Sequence, residues 1–114
     1  VVKNKEKLVK LLNNIKKENK LGGFSAPAKG NTLLNYCKID SKLLEFISEN
    51  NKDKIGKYTP GSNIKIISDD DFVKLNFKYS LLLSWNYKEF FLKNSVFSKK
   101  GGKFIIPFPN PKII

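Results

Sequence analysis

The sequence predicts an α/β fold, a Rossmann-like three-layer domain with a mostly parallel sheet of four or five strands and an extra amino-terminal helix. Two observations carry this. Strand-like apolar runs alternate with helix-like runs from residue 21 onward, the order expected when each helix returns the chain to the same end of a parallel sheet. In addition, Tyr79-Ser80-Leu81-Leu82-Leu83 is apolar almost throughout, as a strand must be when helices cover both of its faces. At 114 residues the chain is one domain, with 1–19 as the helix and 20–114 as the core.

Lys5 to Glu18 places Leu8, Leu11, Leu12 and Ile15 at helical spacing among lysines and asparagines, which predicts a surface helix with one buried stripe. Leu21 to Ser25 follows as a short strand. The small residues after it lead into a helix over Thr32 to Cys37, eased by Pro27 and ended near Lys38. Leu43 to Ile47 is a second strand, and Ser48 to Gly61 is a long loop rich in turn residues. Ile64 to Ile67 is a third strand. Ser68 then caps a helix over Asp69 to Leu75, whose leading acids suit the positive end of its dipole.

After the strand at Tyr79, a helix carries Phe90 and Phe91 and extends toward Val96 and Phe97, with Asn86 and Glu89 spaced as a capping pair. Gly101-Gly102 breaks that helix. Lys103 to Ile106 forms the last strand, and Pro107-Phe108-Pro109-Asn110-Pro111 stops it.

Composition removes several function classes. The net charge is +12, yet all 22 basic residues are lysine and they are scattered, whereas base reading favours clustered arginine. No nucleic-acid partner is expected. The absence of histidine removes the usual neutral-pH base and metal ligand, and the single cysteine, Cys37, allows no internal disulfide. Cys37 shares an apolar face with Leu33 and Leu34, so a buried, inert thiol is expected. No apolar run is long enough to span a membrane, and Val1-Val2-Lys3-Asn4-Lys5 does not open like a secretion signal. No membrane partner and a cytoplasmic location are therefore expected.

In an open parallel sheet, ligands lie outside the carboxyl ends of the strands. Ser25 to Thr32 follow the first strand, Asn50 to Gly61 the second, Ser84-Trp85-Asn86 a later one, and Pro107 to Pro109 the last. Small residues ahead of a helix start let backbone amides approach an anion, so a nucleotide-type ligand is expected at the first loop. The loop is not a P-loop, because Lys29 precedes Gly30 and no hydroxyl stands in the required place. It matches the dinucleotide pattern only in degenerate form, as Gly23-x-Ser25-x-x-Ala28, with Glu49 as a possible ribose-binding acid.

Four ordered blocks carry a family resemblance: residues 25–37, Lys57-Tyr58-Thr59-Pro60-Gly61-Ser62-Asn63-Ile64, Leu82-Leu83-Ser84-Trp85-Asn86-Tyr87, and Gly101-Gly102-Lys103-Phe104-Ile105-Ile106-Pro107. Together they resemble the carboxyl-terminal domain of S-adenosylmethionine-dependent sugar C-methyltransferases. The resemblance implies a domain that holds a nucleotide-linked sugar, typically a deoxythymidine-diphosphate sugar, against the methyl donor of a preceding domain. It implies that this chain is part of a longer methyltransferase. S-adenosylmethionine and a structural zinc would belong to the preceding domains, and this chain alone would be catalytically silent, with no catalytic or metal-binding residue of its own.

Carried over position by position, Ala28, Lys29, Gly30, Asn31 and Thr32 would surround the diphosphate, with Lys29 as countercharge, and Ser25 and Ala26 ahead of them would belong to the same substrate site. Tyr58, Thr59 and Pro60 would form a turn beside the nucleotide, and Trp85 and Asn86 would face base or sugar. Plainer roles stand beside these: a solvated Lys29, an ordinary Pro60-Gly61 turn, a packed Trp85, a capping Asn86. A dinucleotide-binding or regulatory module without methyl transfer remains the alternative, because one fold hosts many ligands.

Overall fold

The computed structural model describes residues 2–25 and 27–114, and the side chains of all of these except Val2, Lys3, Ala28 and Lys29. The elements run α1 (Val2–Lys16), β1 (Leu21–Phe24), α2 (Ala28–Tyr36), β2 (Phe46–Glu49), β3 (Lys65–Ser68), α3 (Asp69–Lys74) and β4 (Tyr79–Leu82). A 3-10 turn at Trp85–Tyr87 leads to α4 (Lys88–Asn94), α5 (Val96–Lys99), β5 (Lys103–Ile106) and β6 (Lys112–Ile113). One sheet holds all the strands in the order β3-β2-β1-β4-β5-β6. The first five are parallel.

Alternation along the strands sends side chains to two separate cores. One is aliphatic: Leu21, Ile47, Leu81, Leu83 and Ile105 meet Leu8 and Leu12 of α1 and Leu33 and Leu34 of α2. The other is aromatic: Phe24, Leu82, Phe104 and Ile106 meet Phe72 of α3 and Phe97 of α5. Helices therefore cover both faces, which is why the strands read as nearly continuous apolar runs. Of the α1 stripe, Leu8, Leu12 and Ile15 are buried, at 2%, 0% and 8% exposed, and Leu11 is half-buried at its edge.

The structure corrects several expected boundaries. The sheet has a sixth strand, because the proline-rich stretch that ends β5 also reverses the chain and pairs Ile113 with Ile105 in antiparallel register. Strand β2 starts at Phe46 rather than Leu43; Leu43 and Leu44 instead belong to a turn in which their amides donate to the Asp40 carbonyl. Helix α2 starts at Ala28, before Thr32, directly behind an extended Pro27. The segment carrying Phe90 to Lys99 is two helices, since Ser95 is extended and its hydroxyl accepts from the Ser98 amide to start α5. Asn86 lies inside the 3-10 turn, and no side chain caps α4. Ser68 does cap α3, accepting from the Asp71 amide at 3.1 Å.

Candidate ligand-binding site

Strand order reverses between β1 and β4: from β1 the chain moves outward through β2 to β3, and from β4 it moves the other way through β5. Connections leaving β1 and β4 therefore diverge, and their carboxyl ends are where an open parallel sheet places its ligand crevice. Two hydroxyls stand across it. Ser25 follows β1, Ser84 lies just beyond β4, and their Oγ atoms are hydrogen-bonded at 2.8 Å. The Ser25 amide donates to the Ser48 carbonyl at 2.7 Å, and the Leu83 amide donates to Phe24 at 3.0 Å, so both sides of the crevice are pinned to the sheet. Ser25 itself is in the left-handed region, with φ of 67°. A serine held there costs conformational energy, which is the kind of local strain that collects at working sites.

Helix α2 begins directly behind this pair. The Asn31 amide is the first to find an intrahelical acceptor, the Pro27 carbonyl at 3.1 Å, and the positive dipole end faces the crevice. Gly30 is buried against Leu83: a Cβ on it would lie 2.8 Å from the Leu83 Cβ. Gly30 therefore lets the helix start sit close to the sheet. The Asn31 Oδ1 is buried without a partner among the described residues. Thr32 is exposed. Ala26, and the side chains of Ala28 and Lys29, lie outside the described residues.

On the other side of Ser25 is a hollow of about 110 Å³, lined by Phe24, Ser48, Glu49, Asn50, Asp69, Phe90 and Phe91. Glu49 is 8% exposed and committed locally: its Oε2 accepts from the Asn50 and Asn51 amides, and its Oε1 lies 3.9 Å from Lys54. These bonds tie down the loop after β2 and count against Glu49 as a ribose-binding acid. The Ser48 hydroxyl donates to Asp69. Burial pushes the Asp69 carboxyl above its ordinary range; the Ser48 bond opposes this, and the nearby Glu49 and Asp70 charges reinforce it.

Other expected site residues lie elsewhere. Residues 56–59 run back antiparallel to the chain entering β3, with Gly56 and Lys57 bonded to Ile66 and Thr59 to Ile64. That return carries the Thr59-Pro60 turn toward the amino end of β3, away from the crevice. There the Pro60 carbonyl accepts from Asn35, in the last turn of α2. Thr59 is 2% exposed, and its hydroxyl meets Ser62 and the Ile64 amide. Tyr58 points to solvent, 55% exposed. Trp85 stays at the carboxyl edge but packs against both cores and against Phe108, ring centroids 5.1 Å apart. Asn86 is exposed beside it.

Sequence reasoning did not single out Ser48, Asp69 or Phe90 as site residues. Ser48 was expected to open the long loop, whereas it lies within β2. Asp69 had a sufficient explanation in the α3 dipole, and Phe90 was read only as part of the helix after the Tyr79 strand. A larger hollow of about 250 Å³ lies between Phe77, Lys78, Lys100 and Gly102, at the opposite, amino end of β4 and β5.

Cys37 closes α2 and is buried, and burial pushes its thiol up, with Lys5 opposing. Its raised value favours the folded state while the thiol is protonated; that contribution is lost as pH rises through the folded value. Alkylation of the native protein near neutral pH is expected to be far slower than after denaturation, measured by mass spectrometry with and without urea. Equal rates would place the thiol outside the core.

Over residues 1–109 the chain matches the model of one protein family, the C-methyltransferase C-terminal domain. It belongs to that family. A similar protein is the C-methyltransferase NovU of Streptomyces niveus, 38% identical over 95 residues, which are 82% of this chain and 23% of NovU. The C-methyltransferase C-terminal domain thus spans less than a quarter of that relative. Among the described residues of this domain, no group of three metal-ligating side chains gathers, and no helix is long and apolar enough to cross a membrane.

Proposed function

We propose that this domain is the substrate-holding part of an S-adenosylmethionine-dependent sugar C-methyltransferase, and that it binds a nucleotide-linked sugar with its diphosphate against the start of α2. The carrying observation is the reversal of strand order, which brings the Ser25–Ser84 pair and the first turn of α2 to one crevice. Amides at a helix start, with a lysine among them, suit a pyrophosphate. The methyl donor, the structural zinc and the base that generates the sugar carbanion belong, on this reading, to preceding domains, as the family resemblance implies. A preceding methyltransferase domain is the expected partner.

Calorimetric titration with deoxythymidine diphosphate, NAD and an oligonucleotide at near-physiological salt tests this. Saturable binding of the thymidine nucleotide in preference to NAD supports it. Preference for NAD favours the dinucleotide module, and affinity that collapses with salt regardless of sequence favours a general polyanion surface. Lys29→Ala is expected to weaken the thymidine nucleotide by about 1–3 kcal/mol, the worth of a charge-assisted hydrogen bond, without moving the melting temperature. Unchanged affinity would remove Lys29 from the site.

A further inference from the structure

We propose that the hollow at the carboxyl ends of β1 and β2 receives a hydroxyl-bearing sugar ring, with Phe90 as its platform and Asp69 and Ser48 as its hydrogen-bonding wall. The inference rests on the nucleotide-sugar reading and adds to it a place for the ring.

Polarity is the first reason. In a chain with 22 lysines and 10 acids, the hollow is lined by two carboxylates and no lysine. Such a wall repels phosphate and accepts from hydroxyl donors, because an ionised carboxylate offers acceptors only. Of the two acids, Glu49 is engaged by its own loop. Asp69 takes the Ser48 hydroxyl, its one hydrogen-bond partner among the described residues, and so has acceptor capacity left for a ligand.

The second reason is the ring. Phe91 is half-buried and packs against Phe24, but Phe90 is 60% exposed at the mouth of the hollow, held edge-on to Phe91 at 5.4 Å and 85°. An aromatic face left open beside carboxylates suits a sugar, whose C–H face lies on the ring while its hydroxyls reach the acids.

Size and position agree. A hollow of about 110 Å³ is well below the ~300–1,000 Å³ of a complete ligand pocket, so it fits one ring of a larger molecule. Ser25 borders both this hollow and the start of α2, so a pyrophosphate seated at the helix leaves a ring attached to it within reach of Phe90.

The experiment is calorimetric titration of the full chain and of Asp69→Asn and Phe90→Ala with deoxythymidine diphosphate and with a deoxythymidine-diphosphate hexose. Phe90 is exposed and Asp69→Asn keeps its shape, so both variants are expected to melt with the wild type. Each is expected to lose about tenfold in affinity for the nucleotide-hexose, the worth of one good contact. A loss confined to the nucleotide-hexose places the hexose ring in the hollow; an equal loss with the diphosphate places the nucleoside's own sugar there. Wild-type affinity in both variants overturns the assignment, and so does a loss in Phe90→Ala alone, which means base stacking. If the wild type binds neither nucleotide, the nucleotide-sugar reading itself fails.

Discussion

Phe72→Ala is expected to lower the unfolding free energy by about 3–5 kcal/mol, a large share of the stability of a domain this size. Phe72 is 0% exposed and is the hub of the aromatic core, stacked on Phe77 with centroids 4.5 Å apart and in contact range of Phe24 and Phe97 at 6.4 and 5.8 Å. Its ring also fills the space left by Gly22 in β1, where a Cβ would lie 2.5 Å from the ring carbons. Truncation therefore leaves a cavity bounded by the sheet backbone, which cannot move in to close it. Urea unfolding followed by circular dichroism measures the loss. A cost below about 1.5 kcal/mol would mean that the core repacks, and that α3 is not fixed to the sheet through this ring.

The layers were legible in the residues because burial leaves a period. Leu8, Leu12 and Ile15 recur at helical spacing, and all three are buried. The run at Tyr79 is apolar because its alternate residues enter two different cores. Ser68 was legible as a cap because a helix start is a local event, settled within four residues.

What was not legible depends on contacts distant in sequence. Ala28 and Gly30 make the segment resemble a loop because they are small, yet Gly30 is small on account of Leu83, which directly follows another strand. Thr59 and Pro60 make a recognisable turn, but a turn does not declare at which end of a sheet it lies; the antiparallel return beside β3 decides that. Likewise, the Ser25–Ser84 pair exists only once β1 and β4 are neighbours.

Gly30→Val is expected to damage stability and ligand binding together, and comparison with Gly30→Ala separates the causes. Glycine inside a helix costs about 1 kcal/mol relative to alanine, so its presence in α2 needs an opposing reason. Contact supplies one. An added Cβ would sit 2.8 Å from the Leu83 Cβ and 3.3 Å from the Pro27 Cδ, and Leu83, 1% exposed, cannot turn its own Cβ aside. Overpacking of this kind costs about 1–3 kcal/mol, so the helix-propensity gain leaves Gly30→Ala only mildly destabilised. Valine adds two further methyl groups at the same point and is expected near the upper end of that range. To fit them, the first turn of α2 must lift from the sheet, carrying its amides away from Ser25 and Ser84. Affinity for deoxythymidine diphosphate should then fall more steeply than the melting temperature, with the alanine variant between wild type and valine. A folded valine variant that binds the nucleotide as tightly as wild type would show that the diphosphate does not rest on this helix start.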